Sequence, residues 1–400
     1  MTRVATYAQH LLTQSYFTDT QTRLKDAHIQ LASGKVAQSY DKLGISSFQL
    51  VTLEAKYDRA EQFSDNIDRA LGRMDIMEST MATLAERATY LQGQLSTALS
   101  ATNADDIALE AMASGFLKEV ASLLNLEHEG RYLFAGSRGD VAPVDVSSTT
   151  YTATFDVGDA TTADAFSIRI LGTNNFQPIT VGAPALPAAD GNALAAAVNA
   201  ELTAAGVTGA TASWVGGATN GKLVITETQG RPISAASLTA AGAEIDPDGV
   251  SIQQEYFRGD SIEAVVRADE GFEVSYGSTA DEPGFEQLVR ALSYVAWAGG
   301  SDVEPSERDE ALTQAFDLTK KAIDGIAESR SSLGASYSVL EAAKQGHQDF
   351  LTYAGNAISG IEDADVAEVM TRIAADETQL QASYITISRL SSVSLIDFLR

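Results

Sequence analysis

Apolar residues recur at Ile67, Leu71, Met74, Met77, Met81, Leu84, Ala88, Leu91 and Leu95, in steps of three and four without a break. That period is one seam of a long helix, close to the heptad of a coiled coil. The helix reads from about residue 47 to residue 99, roughly 80 Å at 1.5 Å per residue. A compact globule has no use for such a rod; a long bundle or a filament subunit does. The methionines within the seam read as adaptable core filler.

A second seam closes the sequence. Val366, Val369, Ile373, Leu380, Tyr384 and Ile387 keep the helical period, and the stripe continues through Leu390 and Val393 to Leu395, Ile396, Phe398 and Leu399. Chain ends are ordinarily polar and frayed, so an apolar tip calls for a partner surface. Residues 1–33 carry a thinner stripe, Val4, Tyr7 and Leu11 with Leu24 and Ile29. Such a helix is marginal alone and is expected to order against the closing one, bringing the two ends of the sequence together.

Between these ends the order reads helix, long helix, helix, β-rich insert, helix, long helix, helix. Gly34 reads as the stop of the first helix, in the C′ position, and Tyr40 to Gly44 as a connecting loop. A shorter helix is expected over about 105–128, with its cap before Ile107, ending at Glu129-Gly130. Gly130-Arg131-Tyr132-Leu133-Phe134-Ala135-Gly136 then reads as a short strand between glycines. From Val141 to about Ala280 the chain turns rich in Thr, Ala, Gly and Val. Tyr151–Phe155, Phe166–Leu171, Ile262–Arg267 and Phe272–Tyr276 alternate like strands, and 193–202 reads as a short helix. Asn220-Gly221 is expected to be a hairpin turn feeding Lys222–Thr226. After Pro283 come a helix ending at Gly299-Gly300, a long one from Ser306 to about Tyr353, a loop around Gly360 to Asp365, and the closing helix. The predicted fold class is mainly α with a β-rich insert, the two helical flanks packed antiparallel. The expected divisions are 1–40 with 361–400, 41–140 with 282–360, and 141–281.

Charge narrows the partners. Lys and Arg number 27 against 54 Asp and Glu, for a net −27 and a pI near 4.4. Binding a phosphate backbone needs clustered cations, so nucleic acid is not expected, nor an anionic membrane surface. Cysteine is absent, which excludes disulfides and thiolate metal sites. No unbroken apolar stretch follows Arg3, so no secretory signal is expected, and no run is long enough for a membrane span.

Catalytic patterns are missing as well. His10, His28, His128 and His347 fall on expected helices with no metal-ligand spacing. No phosphate loop, dinucleotide fingerprint or nucleophile elbow occurs. Asp246-Pro247-Asp248-Gly249 reads as a turn rather than a calcium loop, and Glu362-Asp363-Asp365 as acids placed favourably before a helix. No enzyme activity, cofactor or metal is expected.

Several stretches resemble the flagellin superfamily. Leu31-Ala32-Ser33-Gly34-Lys35 is similar to the family's turn after its first helix, and Leu390 to Leu399 to its carboxyl tail. Gly130 to Gly136, Arg258-Gly259-Asp260 and Ala280 to Glu286 resemble the branch at the hook–filament junction more than filament flagellin, as does Met1 to Thr6. The insert's Asn192–Asn199 and Lys222–Thr226 resemble a small repeat of flagellins and hook-associated proteins. The segment Tyr40-Asp41-Lys42-Leu43 departs from the family in lacking a proline.

The resemblance implies a structural subunit exported unfolded through a type III channel without a cleaved signal. Its terminal helices would form an inner coiled-coil tube, its long helices a middle shell, and its insert an outer face. Implied partners are identical copies in a ring, the other hook-associated junction protein, flagellin and an export chaperone. Val4, Tyr7, Leu11, Ile373, Leu380, Tyr384, Leu390, Leu395, Ile396, Phe398 and Leu399 are the candidate assembly residues. Filament flagellin is the alternative reading, and a surface adhesin or glycan-binding insert a further one.

Overall fold

The computed structural model describes residues 2–100, 109–146, 150–159, 166–170, 179–181, 188–234, 239–240, 243–244, 250–300 and 303–398. The helices are α1 (Thr2–Ser33), α2 (Ser46–Ser100), α3 (Leu109–Leu124), α4 (Gly191–Ala204), α5 (Pro283–Ala298), α6 (Pro305–Glu362) and α7 (Val366–Phe398). Helix therefore dominates, with short strands grouped between α3 and α5. The chain divides into two compact units, one of residues 1–65 with 343–400 and one of residues 66–342.

The described residues of the first unit are helical apart from turns and one isolated β-bridge, Lys35 with Asp363. Gly34, at φ +72°, closes α1, its N–H reaching the Gln30 carbonyl at 2.8 Å. The following residues are stitched to the end of α6: Val36 N–H donates to the Glu362 carbonyl at 2.7 Å, and Ala364 N–H to the Gly34 carbonyl at 2.8 Å. Tyr40–Leu43 forms a turn of 3-10 helix where a loop was expected. Its Tyr40 hydroxyl donates to Glu54 of α2 at 2.8 Å. The expected loop from Gly360 shrinks to 363–365, because α6 continues to Glu362. Asp365 then caps α7, accepting from the Ala367 and Glu368 N–H groups at 2.9 and 3.2 Å. Within this unit α2 and α6 run antiparallel: the Phe63 ring stacks on His347 at 5.6 Å, and Tyr57 lies beside Gly355.

In the second unit all nine residues of the Ile67–Leu95 seam are buried, each large side chain worth about 1.5–3 kcal/mol of transfer free energy. Leu312, Ile326, Leu333 and Leu340 of α6 are buried likewise, and Arg330 pairs with Glu78 of α2 at 2.6 Å. Helix α3 packs on α5. Helix α5 crosses α6 at two glycines: a Cβ on Gly284 would lie 2.6 Å from the Ile326 nitrogen, and one on Gly325 would lie 2.7 Å from the Gly284 Cα.

The chain leaves α3 earlier than its sequence suggests. Strands β1 (Glu127–His128) and β2 (Arg131–Tyr132) form a hairpin. Glu129 and Gly130 are its two turn residues, both at positive φ, which suits the twist of a tight hairpin. His128 thus sits on a strand, and only Arg131–Tyr132 of the Gly130–Gly136 stretch is extended. Residue Ile107 and the tetrad 246–249 lie outside the described residues.

Strands β3 (Tyr151–Asp159), β6 (Ala210–Gly216), β7 (Asn220–Glu227) and β11 (Val250–Gln254) build an antiparallel sheet in the order β11-β3-β7-β6. Strands β4 (Phe166–Ile170), β5 (Ile179–Val181) and β8 (Ile233–Ser234) form a second sheet, and β9 (Thr239–Ala240) pairs with β10 (Ala243–Glu244). Helix α4 packs on β6 and β7. Asn220 and Gly221 belong to the ladder, opposite Asp159 and Gly158, and the turn is made by 217–219 instead. The Trp214 indole occupies the space over Gly191 and Gly221, where no side chain fits, and donates to the Gly217 carbonyl at 2.7 Å. Strands β12 (Ala264–Asp269) and β13 (Phe272–Tyr276) form a separate hairpin.

Candidate assembly interface

Helices α1 and α7 lie antiparallel in the first unit. The Phe17 and Tyr384 rings meet edge to face at 5.5 Å, Arg23 reaches Asp376 at 3.2 Å and Gln379 at 3.4 Å, and Arg372 donates to Gln30 at 3.0 Å. The covered line of α1 runs Phe17, Thr20, Leu24, Ala27; that of α7 runs Val369, Ile373, Asp376, Leu380, Ser383, Ile387. Both advance by threes and fours, the spacing of a two-stranded coiled coil. The ion pair is partly exposed and contributes little beyond register. At the far end Lys35 meets Glu362 at 3.0 Å; the hydrogen bond it donates to Glu362, then that carboxylate's charge, raises the ammonium's pKa.

Two helices bury only one line each, and this pair leaves much apolar surface outside. Leu11 is 49% exposed and Tyr384 68%, and Leu12, Tyr16, Ile29, Met370 and Ile385 are exposed too. At about 100° per residue, Leu11 and Ile29 fall on the side of α1 opposite the covered line. An open groove of about 570 Å³ runs along Gln21, Leu24, Lys25, His28, Ile29 and Ala32 to Leu380. At the start of α2, Leu50 is buried while Ile45 is 97% exposed and Phe48 81%. Single exposed apolar residues are ordinary. Here many lie in one unit, most of them on helices that each have a buried side already.

Of the residues singled out by sequence, Ile373 and Leu380 lie half-buried on the covered line, and Leu11 and Tyr384 are largely exposed. Val4, Tyr7, Leu390, Leu395, Ile396 and Phe398 lie in α1 or α7, outside the residues whose side chains are described, and Leu399 lies outside the described residues. Thr20, Ala27 and Asp376 escaped the sequence reading because they are small or polar. Ile45 and Phe48 could have been found, since an apolar step of three faces away from Leu50.

A second cluster joins the two stretches that resemble the junction branch. Ser137 N–H donates to Asp260 Oδ1 at 2.8 Å, and its hydroxyl donates to Oδ2. Asp260 N–H reaches the Ala135 carbonyl at 3.2 Å, and Ala280 N–H the Phe134 carbonyl at 2.9 Å. The Ser137 bonds hold the Asp260 carboxyl below its ordinary pKa. The Phe134 ring packs on Phe285 at 5.9 Å. Tyr256 donates to the Ala280 carbonyl, Arg258 pairs with Asp145, and Arg258 N–H donates to the Pro143 carbonyl at 2.8 Å. Burial drives the Tyr256 hydroxyl well above its ordinary pKa. The places where the chain enters and leaves the strand-rich region are thereby clamped together.

Among the described residues no group of three or more His, Asp or Glu is placed to hold a metal ion. Among them, no helix is long and apolar enough to cross a membrane.

The bacterial flagellin N-terminal helical region matches residues 4–138, and the bacterial flagellin C-terminal helical region matches residues 316–399, together more than half of the chain. The chain belongs to the flagellin family. Similar solved structures include a Vibrio parahaemolyticus protein assigned as a flagellar hook-associated protein, at 11% identity and a TM-score of 0.46, covering 79% of this chain and 97% of that one. Bacillus cereus FlgL is similar at 12% identity and 0.41, covering 78% and 98%. Flagellar hook-associated protein 3 from Legionella pneumophila follows at 13% and 0.40, covering 78% and 98%. Comparison with curated protein sequences finds no match.

Proposed function

We propose that the chain is a structural subunit of the bacterial flagellum, placed between hook and filament as the junction protein. The observation that carries the assembly role is the antiparallel α1–α7 pair with apolar side chains left outside it, together with the exposure of Ile45 and Phe48. Membership of the flagellin family fits that role. The clamp of Gly130–Gly136 with Arg258–Asp260 supports the junction branch over filament flagellin, because those stretches carry the branch's sequence character.

In this reading residues 1–40 with 361–400 form the inner tube, 41–140 with 282–360 the middle shell, and 141–281 the outer face. The partners are identical copies, the other hook-associated junction protein, flagellin and an export chaperone. The chain reaches the cell exterior through the type III channel, and it performs no catalysis.

The test is electron microscopy of cells lacking this protein, with the export and hook genes intact. Hooks without filaments support the proposal. Normal hooks and filaments contradict it. Long filaments formed by the purified chain alone would assign it as filament flagellin instead.

A further inference from the structure

Strands β12 and β13 stand apart as a two-stranded sheet, and among the described residues no other strand or bridge flanks it. The Ser275 carbonyl of β13 accepts from the Ser336 hydroxyl of α6 at 3.1 Å, so Ser275 turns its backbone away from β12. Val265 is the register partner of Ser275, and Arg267 that of Glu273. Opposed residues of an antiparallel pair either bond each other or both turn outward, in alternation. Val265 and Arg267 therefore present their N–H and C=O groups along the outer edge of β12. Side chains alternate in step. Val266 and Val274 are buried, whereas Val265 is 55% exposed and Glu263 and Arg267 are exposed. Ile262, just ahead of them, is 62% exposed.

An open edge strand with apolar side chains is a template for another strand, and here the sequence selects which one. Glu263-Ala264-Val265-Val266-Arg267 complements itself when reversed. With Val265 of one copy opposite Val265 of another, Glu263 stands opposite Arg267 twice, on the exposed face, where opposite charges attract and like charges repel. Moving the centre two residues either way sets like charges opposite each other, at Glu263 or at Arg267. Arg267 already faces Glu273 within the hairpin, so the charges alternate in sign across the enlarged sheet. A register shift after Arg267 ends the regular ladder and confines the pairing to these five residues. We propose that β12 pairs antiparallel with β12 of a second copy, centred on Val265, to make a four-stranded sheet. The inference does not rest on the junction reading.

The chain has no cysteine, so a single Val265→Cys in the full chain reports on this contact alone. Opposed residues at the centre lie about 5.5 Å apart between Cα atoms, within disulfide reach. Ser275→Cys, exposed on the neighbouring strand, is the control, because its two copies stand three strand spacings apart, about 14 Å. Under mild oxidation at matched concentration, Val265→Cys should crosslink about tenfold faster than Ser275→Cys. Adding Glu263→Arg or Arg267→Glu to Val265→Cys should slow crosslinking about fivefold each, and adding both should restore it. Glu263→Arg leaves Arg267 facing Glu273, so its effect cannot come from a weakened hairpin. Equal rates for Val265→Cys and Ser275→Cys would overturn the proposal, and so would a charge-swapped protein as slow as the single reversals.

Discussion

Gly136 and Asp260 occupy one space: any side chain on Gly136 would overlap the backbone carbonyl and the carboxylate of Asp260. Gly136 also sits at φ +68°, where an L side chain is strained. The residue is therefore fixed twice, by conformation and by close approach. Gly136→Ala should destabilise the second unit by about 3 kcal/mol, combining backbone strain with a forced shift of the clamp. Urea unfolding followed by the fluorescence of Trp214 and Trp297, both in the second unit, measures this; an unchanged midpoint would show that the clamp is loose.

The Asp260 carboxylate gives the clamp a pH dependence. Hydrogen bonds from Ser137 lower its pKa in the folded state, so the folded chain binds fewer protons there than the unfolded one. Its stabilisation is present above the unfolded value of about 3.9 and is lost as pH falls through the folded value. Asp260→Asn should flatten the acid limb of the stability profile below about pH 4. A limb identical to the wild type's would assign acid sensitivity to other carboxylates.

Tyr294 makes the opposite prediction at high pH. Burial pushes its hydroxyl up to about 12, and the hydroxyl donates to the Ile233 carbonyl at 3.0 Å. A raised folded value means stability fully present below the unfolded value near 10 and lost as pH rises toward the folded one. The part of the phenolate absorbance that belongs to Tyr294, read as the difference from Tyr294→Phe, should therefore appear late and together with unfolding. Tyr294→Phe should cost about 1 kcal/mol at neutral pH by leaving the Ile233 carbonyl unpaired. Early, non-cooperative ionisation of all tyrosines would contradict the buried environment.

How much of this was legible in the sequence depended on side-chain size. The Ile67–Leu95 seam is written in large apolar residues and could be read directly. On α7, Val369, Ile373, Leu380 and Ile387 were readable, but Asp376 and Ser383 share the covered line and carry no apolar signal. The covered line of α1 includes Thr20 and Ala27, so the eye follows Leu11 and Ile29, which lie on the other side. His128 was read as helical because nothing local announces a two-residue turn at Glu129-Gly130 except the glycine. Asn220-Gly221 has the strongest turn signal in the insert, yet the ladder with β3 absorbs both residues. The clamp joins residues more than a hundred positions apart, and no local pattern predicts that contact.

In our proposal, apolar surface on the first unit serves assembly rather than folding. Ile45 and Phe48 isolate it, since both are largely exposed and their replacement should leave chain stability within about 0.5 kcal/mol. The decisive measurement is electron microscopy of cells whose only copy carries Ile45→Ser with Phe48→Ser, alongside thermal unfolding of the purified variant. The account predicts an unchanged unfolding midpoint with hooks that lack filaments or shed them. Normal filaments of full length, built with a variant that folds as the wild type does, would contradict it.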